Sequence, residues 1–222
     1  MLRPMTAALL LLSLSAAAQD RGTVRIVGHV SEVASLRFQS STLAGEGVTG
    51  QNAGNSLNYT LNLGDLREAE GRPNGVHGGV VTLALRTNTA YVLTATVQGS
   101  GFRAGPGEIG LGDIGFGVPS AAITPSGDHA RADGTQVVNA AKFDSDPLTA
   151  STAGGRPHYA ATLADLAHGP TPLLQGERIS YGGTVNAPNN ALLVSTNYAV
   201  HPQMFRRNDR FEATVTYTLT TP

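Results

Sequence analysis

The segment Phe211–Leu219 alternates strictly between apolar and polar side chains. Its apolar members are Phe211, Ala213, Val215, Tyr217 and Leu219, and the residues between them are Glu212, Thr214, Thr216 and Thr218. Successive side chains of a β-strand point to opposite faces, so a period of two fits a strand with one buried face and does not fit a helix. The pattern returns near the other end, where Val24, Ile26, Gly28 and Val30 alternate with Thr23, Arg25, Val27 and His29. The two segments predict an all-β fold of antiparallel strands.

Further strands are expected wherever β-branched and aromatic residues cluster between Gly, Pro and Asn. These positions are Leu36–Phe38, Leu57–Leu63, Val80–Thr87, Tyr91–Gln98, Asp113–Val118, Arg178–Gly183 and Leu192–Val200. The best local pattern is Val80–Gln98, because a short polar stretch centred on Asn88 separates two β-rich runs and Asn tolerates positive φ. We interpret it as a hairpin.

Two stretches lack a strand pattern. Gly99–Gly112 is rich in Gly, and Ser120–Pro157 mixes Pro, Gly, Ser and Asp with few apolar residues. Both are expected to be surface loops or insertions. A loop as long as the second is uncommon in a compact domain, so it is functional, locally flexible or hides short strands such as Thr135–Val138.

An internal duplication is suggested by two octapeptides, Tyr59–Leu66 and Tyr159–Leu166, which share the initial Tyr, the Leu at the fifth position, the Asp at the seventh and the final Leu. Each is followed, after a polar loop, by an Asn-centred turn, at Asn88 and at Asn189-Asn190. A real duplication implies two similar β-meander halves that face each other. The predicted architecture is therefore an antiparallel β-sandwich, possibly of two such halves, with long Gly/Pro-rich loops.

The N-terminus has the organisation of a secretory signal peptide. Arg3 supplies a positive start, Ala7–Leu14 is an apolar run too short to span a membrane, and Ala16–Ala18 offers the small residues that a signal peptidase accepts. We expect cleavage after Ala18, with a retained anchor as the alternative. Residues 1–18 are then the signal peptide and residues 19–222 a single β-sandwich domain with a long loop or insertion near 120–157.

Composition narrows the partners and the compartment. Lys plus Arg number 15 against 16 Asp plus Glu, so no basic surface suited to nucleic acid is expected. No later segment has the length of a membrane-spanning helix. The chain contains no Cys, so in an oxidising compartment such as the periplasm, the cell surface or the medium the fold must depend on its core and strand pairing.

Two overlapping glycine patterns match the dinucleotide-binding fingerprint, Gly105–Gly110 and Gly110–Gly115. Nucleotide binding needs those glycines at a turn from a strand into a helix, whose N–H groups face the pyrophosphate. No helical pattern follows here, and Pro106 lies within the first copy. We interpret both as Gly-rich β-loops and predict no cofactor.

Metal ligands are sought among the 6 histidines and the aspartates. No two histidines have the two- or four-residue spacing of a local ligand pair. His77, between glycines, is the most ligand-like, but an exposed loop histidine is the favoured interpretation. Possible Ca²⁺ ligands are Asp128, Asp133, Asp144 and Asp146. Their spacing is not that of an EF-hand, so a solvated loop is favoured and no metal site is predicted.

No catalytic residue is singled out either. A Gly-x-Ser-x-Gly elbow and a thiol are both missing. Carboxylates for glycoside hydrolysis could come from Asp65, Asp113, Asp165 or Glu177, although capping or turn roles are commoner for the first and third. Exposed aromatic platforms for a glycan could come only from Tyr181, Tyr198 or Phe205, each of which is better explained as core or interface. The sequon at Asn58 matters only in a eukaryotic secretory pathway.

The run Val80–Ala95 and the closing run Arg210–Leu219 resemble exported bacterial β-sandwich surface domains of the WxL-like, spore-coat-U-like and pilin-like kinds. The chain departs from them where they carry Trp or Cys, so the resemblance implies a fold and transfers no functional residue. It favours a non-enzymatic, exported cell-envelope or surface protein, a structural or assembly subunit that self-associates or binds protein partners. A glycan- or protein-binding module is the alternative, and a hydrolase or metalloenzyme is a third.

A long alternating strand at either end of such a domain can also pair with another subunit. Val24–Val30 and Phe211–Leu219 are the candidates for donated strands. Completion of their own sheet is the alternative for both.

Overall fold

A computed structural model describes residues 34–51, 57–64, 66, 75–102, 107–153, 156–180, 190–201 and 211–221. All of them belong to one compact unit. The expected signal peptide and the expected strand Thr23–Val30 lie outside the described residues.

The described part of the chain is dominated by β-strands. The strands are β1 (Ala34–Ala44), β2 (Thr49–Gln51), β3 (Thr60–Asn62), β4 (His77–Thr87), β5 (Tyr91–Ser100), β6 (Gly115–Gly117), β7 (Ile123–Ser126), β8 (Gln136–Val137), β9 (Thr152–Ala153), β10 (Arg156–Pro157), β11 (Thr171–Gly176), β12 (Ala191–Val200) and β13 (Glu212–Thr220). One short α-helix, α1 (Ala140–Phe143), and four 3₁₀ turns (Leu111–Asp113, Ser120–Ala122, Pro147–Thr149 and Leu163–Leu166) complete the elements.

Two sheets organise these strands. The first has the order β1-β4-β12-β6, with β7 also paired to β12, and the second has the order β13-β5-β11-β8. Every paired strand in both sheets is antiparallel to its neighbours. Two smaller ladders, β2-β3 and β9-β10, lie outside them. The prediction of an all-β, antiparallel fold is confirmed.

One hydrophobic core receives side chains from both sheets. The first sheet contributes Leu83, Leu85, Leu192 and Val194, and the second contributes Tyr91, Leu93, Leu173 and Leu174, all almost fully buried. The central strands β4 and β12 are buried along most of their length, whereas the outer strand β13 alternates between half-buried and exposed residues. The period of two seen in the sequence at β13 therefore marks a strand with one solvent face.

The predicted hairpin Val80–Gln98 is wrong. Its two runs are strands β4 and β5, but β4 pairs with β1 and β12 while β5 pairs with β11 and β13. The link at Asn88 therefore carries the chain from one sheet to the other. Leu83 and Leu93 are both buried in the shared core. A link that crosses between the sheets buries these side chains as well as a hairpin within one sheet would. Alternation specifies which side chains are buried and leaves the pairing partner open.

Other strand boundaries need correction. Of Leu57–Leu63 only β3 is a strand, and Asp113 belongs to a 3₁₀ turn that precedes β6. Within Arg178–Gly183 the described residues 178–180 form no strand beyond an isolated bridge at Ser180. Strand β11 was not predicted, because Pro172 lies inside it. The pairing of β11 with β5 shifts register just after Pro172, which is where a strand tolerates proline.

The two stretches interpreted as loops contain short elements. Ser120–Pro157 holds β7, β8, α1, β9, β10 and two 3₁₀ turns, and β8 lies within the suggested Thr135–Val138. Val137 and Phe143 from this stretch are buried in the core. From the other stretch, Gly99–Gly112, Ile109 packs with Leu66 and Val200 in a second small cluster. Both stretches thus contribute to the interior.

The two similar octapeptides adopt different backbones. The first contains β3 and a left-handed Gly64 (φ 74°), whereas the second contains the 3₁₀ turn Leu163–Leu166. Asp65 lies outside the described residues. The division of the fold into two similar halves stays a prediction.

Candidate functional site: the open edge

The outermost strands of the two sheets, β1 and β13, lie side by side. Among the described residues β1 pairs only with β4, and β13 only with β5. The rings of Phe38 on β1 and Tyr217 on β13 are in edge-to-face contact with centroids 6.5 Å apart. Each strand therefore has one ladder of backbone groups engaged and one facing outward at this side of the fold. We call this side the open edge.

A groove of about 390 Å³ runs between the two strands of the open edge. It is lined by Ala34, Ser35, Leu36 and Arg37 of β1, by Tyr217, Thr218 and Leu219 of β13, and by Leu57. Leu57 is 64% exposed, the most exposed of the large apolar side chains in the described residues. Complete burial of a fully exposed leucine contributes roughly 1.5–3 kcal/mol, so a partner that covers the exposed part of Leu57 gains a share of that free energy.

A row of aromatic rings extends from Tyr217, which lines the groove, into the fold. Phe38 contacts Tyr59 at 6.0 Å between centroids and Tyr217 at 6.5 Å. The Tyr217 hydroxyl in turn hydrogen-bonds to the hydroxyl of Tyr198 on β12, whose ring lies 5.6 Å from that of Phe116. This connection ties the edge strand of one sheet to an inner strand of the other. The edge is thus held by contacts beneath it.

Burial determines the ionisation of the tyrosine pair. Desolvation raises the pKa of Tyr198, against hydrogen bonds from Tyr217 and Thr196 that lower it. Desolvation also raises the pKa of Tyr217 well above its usual value, and the neighbouring Tyr198 raises it further. Both hydroxyls therefore stay protonated at neutral pH and serve as hydrogen-bonding groups.

The two strands of the open edge differ in regularity. The register of β1 against β4 shifts between Phe38 and Ser40, which marks a bulge. Strand β13 pairs with β5 without a shift from Glu212 to Thr220. Bulges, prolines and lysines are the devices that protect an exposed edge from further pairing. Strand β13 carries none of the three, and its one charged residue is Glu212.

The glycine fingerprint does not form a phosphate-binding turn in its second copy. Gly110–Gly115 forms a 3₁₀ turn closed by Asp113, whose Oδ2 accepts the Gly110 N–H at 2.8 Å, and then enters β6. A Cβ added to Gly115 would lie 2.4 Å from the Tyr159 ring. Close packing accounts for this glycine. In the first copy, Gly105 and Pro106 lie outside the described residues.

His77 is buried and belongs to a strand, so its interpretation as an exposed loop residue is wrong. It begins β4, is 3% exposed, and its Nδ1 lies 2.8 Å from the carbonyl oxygen of Leu63. The following Gly78 lets the β12 backbone come close, since a Cβ there would meet the Tyr198 carbonyl at 2.0 Å. The glycine that follows His77 is therefore explained by the close packing of β4 against β12.

The aspartates considered for Ca²⁺ act on the protein itself. Asp144 accepts the Ser120 N–H at 2.7 Å, and Asp146 accepts the Leu148 N–H at 3.0 Å and the Asn197 side-chain amide at 2.9 Å. Asp128 and Asp133 are exposed. In the part of the chain that the structure describes, no three His, Asp or Glu side chains are grouped to hold a metal ion.

The carboxylates considered for hydrolysis are not brought together as a pair. Asp165 accepts the Thr162 N–H at 2.8 Å and pairs with Lys142, 2.7 Å from its Nζ. Burial acts to raise the pKa of Asp165, but the hydrogen bonds from Lys142 and Thr162 and the lysine charge outweigh it and lower the pKa. Asp113 closes its own turn, and Glu177 is exposed. Asp65 lies outside the described residues.

Tyr198 is not a glycan platform. Its hydroxyl is bonded to Tyr217 and its ring packs on Phe116, in agreement with the core interpretation. Tyr181 and Phe205 lie outside the described residues.

A tyrosine and a histidine that sequence reasoning missed meet at the end of β12. The Tyr159 hydroxyl accepts the His201 N–H at 3.1 Å, and the rings lie 6.1 Å apart. Burial raises the pKa of Tyr159 and lowers that of His201. No sequence motif marks the pair, because its members are far apart in the chain. It supplies two polar groups, fewer than a metal or a catalytic triad needs.

Comparison of the chain with protein families, with curated proteins and with solved structures finds no match. The described residues include no helix long and apolar enough to cross a membrane. The open edge is therefore interpreted from its own geometry.

Proposed function

We propose that this protein is a non-enzymatic, exported structural subunit of the bacterial cell envelope, which associates with protein partners through the open edge. The observation that carries the proposal is the groove between two outermost strands, with Leu57 largely exposed in it. A strand edge offers a ladder of N–H and C=O groups, and an apolar groove beside it offers side-chain pockets. These two features together favour a protein partner over a small molecule.

The chemistry of the described residues supports a structural role. Asp144, considered for Ca²⁺, Asp165, considered for hydrolysis, and Tyr198, considered as a glycan platform, are engaged in a loop contact, a cap and a contact between sheets. These contacts stabilise the fold.

Export is supported by the sequence. The short apolar run Ala7–Leu14, followed by small residues up to Ala18, favours a cleaved signal peptide. A fold without cysteines requires no oxidising machinery to form and tolerates any redox compartment.

Cell fractionation tests this proposal. The protein is followed in cytosol, envelope and medium of the producing bacterium, and the N-terminus of the purified protein is determined by mass spectrometry. We expect a chain that begins at Gln19, recovered with the envelope and cross-linked into species larger than a monomer. A cytosolic chain that keeps Met1, or a monomer released freely to the medium with no cross-linked partner, would contradict the proposal.

A further inference from the structure

We infer that the open edge receives Thr23–Val30 from a second copy of this chain, which adds antiparallel to β13 as a further strand of the second sheet. The inference rests on the proposed function, since it names the partner that the open edge would bind. It requires that the groove match the segment, that β13 accept a strand, and that the segment reach a neighbour more readily than its own edge.

The side chains of the segment match the groove. Val24, Ile26 and Val30 lie on one face of an extended segment, and Leu36, Leu57 and Leu219 line the groove. A strand placed beside β13 sets its inward residues next to those of β13, at a spacing of about 5 Å between Cβ atoms. The apolar face of the segment would then cover Leu57.

Of β1 and β13, each with a single partner strand among the described residues, β13 is the better template. Nine residues from Glu212 to Thr220 pair regularly on its other side, which keeps its outward groups in one even row. The bulge between Phe38 and Ser40 interrupts the corresponding row on β1. Between Thr23 and Val30 the segment carries no acidic residue, so Glu212 meets no like charge, and Arg25 is of opposite sign.

The sequence ahead of β1 disfavours the tightest hairpin between the segment and its own β1. Only Ser31, Glu32 and Val33 separate Val30 from the start of β1. In such a hairpin, residues directly opposite each other point to the same face of the sheet. Ile26 can therefore face the core beside Phe38 only if the loop between the two strands has an odd number of residues. A three-residue hairpin loop places its last residue in the left-handed region, which is unfavourable for the β-branched Val33.

Addition to β13 within one chain would give the wrong strand direction. The link at Asn88 reverses the chain between sheets, so β5 runs with β1, and β13, antiparallel to β5, runs against β1. A segment that crossed directly from β13 into β1 would also run against β1 and would lie parallel to β13. All ladders among the described strands of both sheets are antiparallel, and antiparallel pairing is slightly more stable. A second copy can supply that direction.

Reach is sufficient for exchange between copies. With cleavage after Ala18, roughly 15 residues precede β1, and an extended chain of that length spans about 50 Å. An extended arm of this length is long enough to reach a neighbouring copy.

Disulfide trapping tests the inference, and a cysteine-free chain suits it. Thr216 is exposed at the middle of β13. We mix a T216C protein with differently tagged single-cysteine proteins whose cysteine replaces Arg25, Val27 or His29 on the outward face of the segment. Inward-face variants V24C and I26C serve as controls. Opposite residues on the same face of neighbouring strands are close enough for a disulfide, and residues on opposite faces are not.

We expect mixed disulfide dimers with at least one outward-face variant and several-fold fewer with both inward-face controls. No face-dependent dimer would overturn the inference, and so would a V27C/T216C double variant that cross-links only within one chain. If the protein is still recovered from the envelope as large cross-linked species, the proposed function survives that failure. If the protein is monomeric and freely released to the medium, the proposed function and the inference of strand exchange both fail.

Discussion

Two tyrosine hydroxyls meet at the contact between the sheets, and their bond predicts a coupled response to mutation. Tyr198→Phe or Tyr217→Phe alone removes the bond between the two hydroxyls, leaves the other tyrosine only its bond with Thr196, and should cost about 1 kcal/mol of unfolding free energy. The double variant should cost less than the sum, because it leaves no hydroxyl unpaired. Urea unfolding of the four proteins measures this coupling.

The matched control uses another buried tyrosine. Tyr91 on β5 bonds to Thr135 at 3.0 Å and does not share this bond with Tyr198 or Tyr217, so Tyr91→Phe should add to Tyr217→Phe without coupling. Additivity of the Tyr198 and Tyr217 variants would contradict the direct bond.

Gly115 gives a second prediction at the scale of one residue. Gly115→Ala forces a Cβ to 2.4 Å from the Tyr159 ring and 2.7 Å from Pro147, so it should lower the unfolding free energy by about 1–3 kcal/mol. Gly112→Ala in the same Gly-rich motif meets nothing within 4 Å and should leave it unchanged within about 1 kcal/mol. Thermal unfolding of both variants checks the difference. Equal losses of unfolding free energy in the two variants would show that crowding by Tyr159 and Pro147 does not destabilise Gly115→Ala.

The sequence predicts the roles of some single residues correctly and those of others incorrectly. The turn and capping roles expected for Asp165 are found, because an Asp after Thr-Leu-Ala can reach back to the N–H three residues before it. The burial of His77 was not foreseen, because its neighbours Gly78 and Gly79 look like loop residues until another strand is known to pack on them. Contacts between distant segments, such as Tyr159 with His201, leave no local pattern.

At the scale of elements, the 3₁₀ turn Leu163–Leu166 predicts a pH dependence. Asp165 closes that turn and pairs with Lys142, the only lysine of the chain. Since its pKa in the folded protein lies below its unfolded value, its contribution to stability is complete above the unfolded pKa and is lost as the pH falls through the folded one. Stability should therefore decline below about pH 4.

Asp165→Asn isolates this contribution. It should cost about 1 kcal/mol at pH 7, mostly through the weakened cap, and should reduce the loss of stability on acidification. Lys142→Met keeps the cap and should cost less, because the ion pair is partly exposed to water. Urea unfolding at pH 7 and pH 3 measures both. An Asp165→Asn protein that loses as much stability in acid as the original would contradict the assignment.

Elements were predicted better than their pairing. Strands β4, β5, β12 and β13 were located to within a few residues, because long alternating or apolar runs specify a strand by themselves. The hairpin was wrong, since a short polar link joins two strands equally well within a sheet or between sheets. The open edge could not be found from sequence, because it depends on which strands end up outermost.

For the molecule as a whole, we propose that the open edge is a surface for association between copies. The all-β class followed from the sequence, whereas the groove required the order of strands in both sheets. In the proposed association, the segment ahead of β1 of one copy pairs with β13 of the next, which carries no second strand among the described residues, and such a contact can repeat head to tail.

Size-exclusion chromatography with light scattering, over a range of concentrations, tests whether copies associate through the open edge. The exported protein is compared with Ile26→Asp, which places a charge on the apolar face of the arm, and with Val27→Asp, which places the same charge on the opposite face. We expect oligomers that grow with concentration for the original protein and for Val27→Asp, and monomers for Ile26→Asp. If all three proteins are monomeric at the highest concentration, or if all three form equally abundant oligomers, association through the arm and the open edge is contradicted.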